Sequence, residues 1–302
     1  MSAVLLPFAA TGAIDWPGFE AHLVRTIAAG LIPAVNMDTG FGPTLEPVDR
    51  AKALRIGAAH ATGRWVAGAH VLDSPGASFD EVGYARECAE IAAVGALPIL
   101  FPSHGLASLA NDELVAAHEH LAAGVDGLLA FELGPMFHPA GRIFSLDAFG
   151  QILNIEGVIG LKHSSLDRAS EWERLLLRDA QRPDFELLTG NDLAIDMVVY
   201  GSDYLLGLST FAPEAFGARD AAWAAGDDAR FWAINDVLQY LGQLAFRAPV
   251  PGYRHDAAMF LAHRGWIAGD RVQAGAPTRP ESDRPLLADI SVRLDALVAY
   301  AR

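Results

Sequence analysis

The sequence is short of cysteine, of lysine and of long apolar runs. Cys88 is the single cysteine among 302 residues, which excludes an intrachain disulfide framework. It lies in the helix-like stretch EVGYARECAEIAAVG and reads as a small core residue. No apolar run approaches the roughly 18 residues that a membrane helix needs. The N-terminal stretch MSAVLLPFAATGA has no basic segment and is broken by Pro7, so it reads as a first strand and not as a signal peptide. A cytoplasmic protein is the expectation. There is no phosphate-cradling G-x-x-x-x-G-K-[ST], no Rossmann G-x-G-x-x-G and no nucleophile elbow G-x-S-x-G. Of the 22 basic residues only Lys52 and Lys162 are lysines; the other 20 are arginine.

The formal charge of −15 argues against nucleic acid and against an anionic membrane surface as partners. With 52% hydrophobic residues the chain can bury a full core.

Eight strand-like apolar runs end in polar residues: AVLLPF, IPAVNMDTG, RWVAGAHV, LPILFPSHG, GLLAFELG, VIGLKHSS, FELLTGND and DYLLGLSTF. Most intervals are about 30 residues, the length of a strand–helix–loop unit; the interval from Asn191 to Ser209 is shorter, at 18 residues. The segments between are helix-like. Residues 17–29 place Phe19, Leu23 and Ile27 on one face, and residues 113–123 follow Asn111 and Asp112 as plausible N-caps. Strands alternating with helices imply a parallel sheet, and eight such units imply a (β/α)₈ TIM barrel. From about Gly226 the rhythm stops. Segments 231–246, 255–268 and 285–301 read as three helices, the last with Leu287, Ile290, Leu294 and Leu297 in one stripe. The expected organisation is a barrel over residues 1–225 with a C-terminal three-helix extension over 226–302.

In such a barrel the active site lies at the C-terminal ends of the strands. Asp38, Thr39, His70, His104, Glu132, Lys162, His163, Asn191 and Ser209 are therefore expected to converge. Lys162 stands out, because it closes the apolar run Val158-Ile159-Gly160-Leu161. Burial disfavours the ammonium form and leaves a nucleophilic amine, which can form an imine with a carbonyl carbon. The alternative is a structural ion pair with Asp38 or Glu132.

These residues carry a resemblance. GVIGLKHSS resembles the strand of the dihydrodipicolinate synthase / N-acetylneuraminate lyase family that bears its Schiff-base lysine, G-[IL]-K-[ED]. NMDTGFGPTLEPVDRAKAL is similar to that family's G-T-T-G-E-x-x-x-L loop, LLTGND to its [ST]-G-[DN]-[DE] segment, and GSDYLLGLSTFAPE to its G-[AG]-x-G-x-[IL]-[ST] stretch. GWIAGDRVQAGAPTRPES resembles the loop between its last helices. The resemblance covers nearly the whole chain. It implies a TIM barrel with a helical extension, a class I aldolase-type lyase, and a homotetramer or dimer. It also implies Lys162 as the catalytic amine, with no cofactor and no metal.

The departures are as specific. The family's two threonines read Asp38-Thr39 here, and an aspartate repels a substrate carboxylate unless protonated or paired. Phe131 falls at the place of the proton-relay tyrosine and cannot carry a proton. Pro102-Ser103-His104 replaces the family's P-Y-Y, His163 replaces the acidic residue after the lysine, and Arg142 lies about a residue from the family's carboxylate-binding arginine. The acid/base must therefore come from elsewhere, with His104 first and Glu132 and His138 next.

The resulting expectation is a Schiff-base lyase, aldolase or dehydratase, acting on a small hydroxylated keto acid or keto sugar. Lys162, His104 and Glu132 are its expected catalytic residues, and Asp38, Thr39, His163, Asn191 and Ser209 hold the substrate. One alternative is a divalent-metal barrel hydrolase or aldolase using Asp38, His70, His104, Glu132 and His163. The other is a barrel that binds a ligand without catalysis.

Overall fold

The computed structural model describes residues 1–299. Tyr300 and Ala301, the end of the expected last helix, lie outside the described residues. The elements follow in order β1 (Ser2–Ala3), α1 (Trp16–Ala28), β2 (Pro33–Val35), α2 (Pro47–His60), β3 (Val66–Ala69), α3 (Glu81–Ala93), β4 (Leu97–Leu100), α4 (His104–Ser108), α5 (Asn111–Ala122), β5 (Leu128–Leu133), α6 (Leu146–Ile152), β6 (Val158–Ser164), α7 (Arg168–Gln181), β7 (Glu186–Thr189), β8 (Asp203–Tyr204), α8 (Pro213–Ala224), α9 (Asp228–Ala245), α10 (Tyr253–His263) and α11 (Asp283–Ala299). The eight strands form one sheet in the order of the sequence. The pairs from β2–β3 through β7–β8 are all parallel. Ser2 bridges Leu206, two residues beyond β8, in parallel. This is the expected (β/α)₈ barrel with C-terminal helices.

Two compact units divide the chain. The larger comprises residues 34–38 and 42–205. Its strands are short and almost wholly buried; all six residues of β5 are inside. That burial explains why the strands read as continuous apolar runs instead of alternating. Helix α7 differs from its neighbours in what it buries: Glu171, Arg174 and Arg178, with Leu175. Helix α5 begins two residues earlier than its sequence suggests. Ala110 is its N-cap, and the Glu113 carboxylate accepts the Ala110 N–H. Asn111 is drawn instead into bonds with Ser145 and Arg142.

The smaller unit comprises residues 1–33, 39–41 and 206–302. Asp15 caps α1 by accepting the Gly18 N–H. Leu287, Ile290 and Leu294 of α11 are buried, as their spacing predicts, while Leu297, the last of that stripe, is half-buried; Phe231, Ile234, Leu238 and Leu241 of α9 are buried as well. Among the described residues no helix is long and apolar enough to cross a membrane.

Candidate active site

The register of β5 on β6 decides which side chains meet. Phe131 stands opposite Lys162, and Glu132 opposite His163. Successive residues of a strand point to opposite faces, so Phe131 and Lys162 share one face while Glu132 and His163 share the other. The Lys162 ammonium lies 4.5 Å from the centre of the Phe131 ring. Phe131 packs edge-on against Phe101, which is stacked at a tilt on His70. A layer of side chains thus runs from β3 to β6 at one level, with Lys162 at its end.

Lys162 is only 7% exposed. Neither a hydrogen bond nor a salt bridge ties Nζ to a described residue, so the structural ion pair with Asp38 or Glu132 is not formed. Burial pulls its pKa below the usual lysine range, against the opposing fields of Asp38 and Asp192. Glycine at 190 makes room for it: a Cβ there would meet Lys162 Cε at 2.8 Å and Ser164 Oγ at 1.9 Å. Ser164, on the same face of β6, is buried, and its hydroxyl has no hydrogen-bond partner among the described residues.

His104 is near enough to His138 to act on its charge. Burial, with His104, lowers the His138 pKa, and Asp38 and Asp73 oppose that shift. Asp73 accepts the backbone N–H groups of His104 and Gly105 at 2.8 and 2.7 Å. The His104 imidazole is half-buried and makes no hydrogen bond to a described residue. His138 Nδ1 accepts the Ala140 N–H at 3.2 Å, which leaves the proton on Nε2 when the ring is neutral.

Glu132 and His163 do not join Lys162. Glu132 accepts two bonds from Arg174 of α7, both at 2.7 Å, and the Phe144 N–H at 2.9 Å. His163 Nδ1 is bonded to Glu132, and its Nε2 to the Ser165 hydroxyl at 2.7 Å. Burial pushes the Glu132 carboxyl upward, but the bonds from His163 and Arg174 outweigh it and hold the pKa below the usual range. The metal-binding alternative needs these two residues on the other face. Among the described residues no three acidic, histidine or cysteine side chains are placed to share an ion.

Asn191 is buried and holds its own turn, its side-chain oxygen accepting the Leu193 N–H at 3.0 Å. Thr39 and Ser209 belong to the smaller unit. There the Thr39 hydroxyl meets the Tyr253 hydroxyl at 2.8 Å, and the Ser209 hydroxyl donates to the Leu206 carbonyl and meets the Ser2 hydroxyl, both at 2.8 Å.

No protein-family model matches the chain. A probable 5-dehydro-4-deoxyglucarate dehydratase 2 of Streptomyces avermitilis is 30% identical over 266 residues, 84% of this chain and 74% of that protein. Its namesake in Streptomyces coelicolor is 29% identical over 84% of this chain and 76% of its own. The crystal structure of an E. coli K12 prophage protein of the dihydrodipicolinic acid synthase family, in complex with pyruvate, superposes with a TM-score of 0.82 at 17% identity. It covers 97% of this chain and 98% of that one. The chain belongs to the dihydrodipicolinate synthase / N-acetylneuraminate lyase family.

Within this family the departures seen in the sequence now have a geometry. Phe131, at the place of the relay tyrosine, lies beneath the Lys162 ammonium and lends it a ring face, not a proton. Arg142 is not turned to a substrate: it donates to the Ala107 and Leu109 carbonyls and to the Asn111 side chain. Three neighbours of Lys162 were missed by the sequence reading: Asp192, Ser164 and Gly190. LLTGND and KHSS contained the signal, because residues two apart on a strand share a face. Ser164, not His163, accompanies Lys162.

Proposed function

We propose that this protein is a Schiff-base lyase of the dehydratase type, with Lys162 as the amine that attacks the keto carbon of a small hydroxylated keto acid or keto sugar. The observation that carries this reading is a buried lysine at the end of β6, without an ion pair and with its pKa lowered by burial. A neutral amine adds to the carbonyl, and loss of water gives the substrate imine. The positive imine nitrogen withdraws electrons, so a proton on the neighbouring carbon becomes acidic. His104 takes that proton and returns it to the departing β-hydroxyl, which leaves as water, and a second water then hydrolyses the imine, releasing the unsaturated keto product and the free Lys162 amine. Its unbonded imidazole supports this role. The ring face of Phe131 stabilises the cation above it, and Ser164 offers a hydroxyl to the bound substrate.

The dehydratase names of the two Streptomyces relatives favour loss of water over cleavage of a carbon–carbon bond. The experiment is to follow 5-dehydro-4-deoxyglucarate and a series of hydroxylated keto acids and keto sugars by proton NMR. The reading expects dehydration by the wild type and none by Lys162→Ala. Release of two carbonyl fragments would favour aldol cleavage, and no turnover of any member would count against the enzyme reading. A homotetramer is proposed as the working form. The exposed Trp172 and Leu176 of α7, with Tyr200 5.0 Å from Trp172, support an apolar contact between copies, and light scattering after gel filtration tests it.

A further inference from the structure

The segment that carries Asp38 is held in an unusual way. Asn36 has φ of +55°, a left-handed conformation that side-chain-bearing residues rarely adopt. Its carbonyl oxygen accepts a bond from His70 Nε2 at 2.6 Å. Two glycines enclose that contact. A Cβ at Gly42 would lie 2.2 Å from the Asn36 oxygen and 2.6 Å from His70 Nε2; at Gly68 the distances would be 2.5 and 2.7 Å. The Asn36 side chain donates to the Arg50 carbonyl at 3.1 Å, and the Gly42 N–H closes the turn on the Met37 carbonyl at 3.0 Å. His70 cannot swing away, because its ring is stacked on Phe101 at 4.5 Å. Burial pushes its pKa down to about 3, so it stays a neutral donor at physiological pH.

We propose that His70 is a positioning residue: by holding the Asn36 carbonyl it keeps the left-handed turn from which Asp38 follows two residues on, and so fixes where the Asp38 carboxylate stands. The inference rests on the reading of Lys162 as the imine-forming amine. Asp38 raises the pKa of Lys162 against the effect of burial. Asp192 acts on the amine in the same direction, and burial in the opposite one, so moving Asp38 shifts the pH at which the amine becomes nucleophilic without abolishing the remaining effects. Neither Asn36 nor His70 touches the reacting atoms; both act through Asp38.

The test is the pH profile of imine formation, read as borohydride-trapped adduct by intact mass. His70→Phe keeps the stacked ring and removes the donor, while His70→Gln retains an N–H at similar reach. With His70→Phe, Asp38 loses its hold and the profile should shift to lower pH; with His70→Gln it should stay near the wild type. Should His70→Phe not fold, Asn36→Val and Asn36→Gly give the same comparison. A β-branched residue opposes positive φ and should shift the profile, whereas glycine tolerates it and should not. Folded His70→Phe or Asn36→Val with the wild-type profile would overturn the proposal. So would an equal shift in both members of either pair. A wild type that traps nothing at any pH would refute the reading of Lys162 itself, which is a separate result.

Discussion

Replacing Arg174 by methionine tests whether Glu132 belongs to the chemistry or to the scaffold. Glu132 is fully buried, and two of its four bonds come from the Arg174 guanidinium. Methionine fills much of the arginine volume but leaves the carboxylate with only His163 and the Phe144 N–H. Breaking a buried pair by removing one partner costs about 3–5 kcal/mol, because an uncompensated charge stays inside. At roughly 2–4 °C per kcal/mol for a domain of a couple of hundred residues, the melting temperature should fall on the order of 10 °C. Glu132→Gln should soften the loss: the double variant should be less destabilised than the two single changes predict, with a coupling above about 1 kcal/mol. Urea and thermal unfolding measure these values. Turnover of folded Glu132→Gln should fall far less than the roughly 10²–10⁴-fold that removal of a general acid costs. Arg174→Met within about 0.5 kcal/mol of wild type would refute the reasoning, since that is the range of an unremarkable surface change. A collapse of turnover in stable Glu132→Gln would return Glu132 to the catalytic set.

Gly190→Ala should place a methyl group against Ser164 Oγ and Lys162 Cε, so imine trapping should slow sharply while the protein remains folded by circular dichroism. His104→Ala should lower kcat by roughly 10²–10⁴-fold yet still trap substrate, because Lys162 is untouched. Acid should destabilise the fold through His22 and His70, whose pKa values are pushed down to about 3 by burial. The unfolded chain binds these protons near 6.5. Stability is therefore complete above about pH 6.5 and is lost progressively toward pH 3, by up to about 5 kcal/mol for each histidine. Urea unfolding between pH 7 and pH 4 measures the slope, which His70→Gln should flatten.

Most of the barrel was legible because parallel strands buried on both faces leave continuous apolar runs, and eight of them at a near-regular interval allow few alternatives. Lys162 was legible for a related reason: a charge that closes such a run demands an explanation. The rest of the site was harder to read. A strand-end residue can face the barrel interior or the surrounding helices, and a shift of one residue exchanges the two. Glu132 and His163 fell on the helix side, where Arg174 of α7 waits for them. Nothing in GLLAFELG or VIGLKHSS alone reveals that partner 42 residues away from Glu132. The roles of Ser209 and Asn191 as turn-holders were also hidden, since both depend on bonds to backbone groups. The left-handed Asn36 left no mark in the sequence; only its contact with His70 between two glycines exposes it.

The central claim is that Lys162 forms a covalent imine with a keto substrate. Incubation with pyruvate and with a panel of keto sugars and keto acids, borohydride reduction and peptide mass spectrometry test it most directly. The account predicts one substrate-sized mass increment on the peptide that contains Lys162, and none in Lys162→Ala. Turnover of a keto substrate with no trapped adduct, or with activity retained in Lys162→Ala, would contradict it.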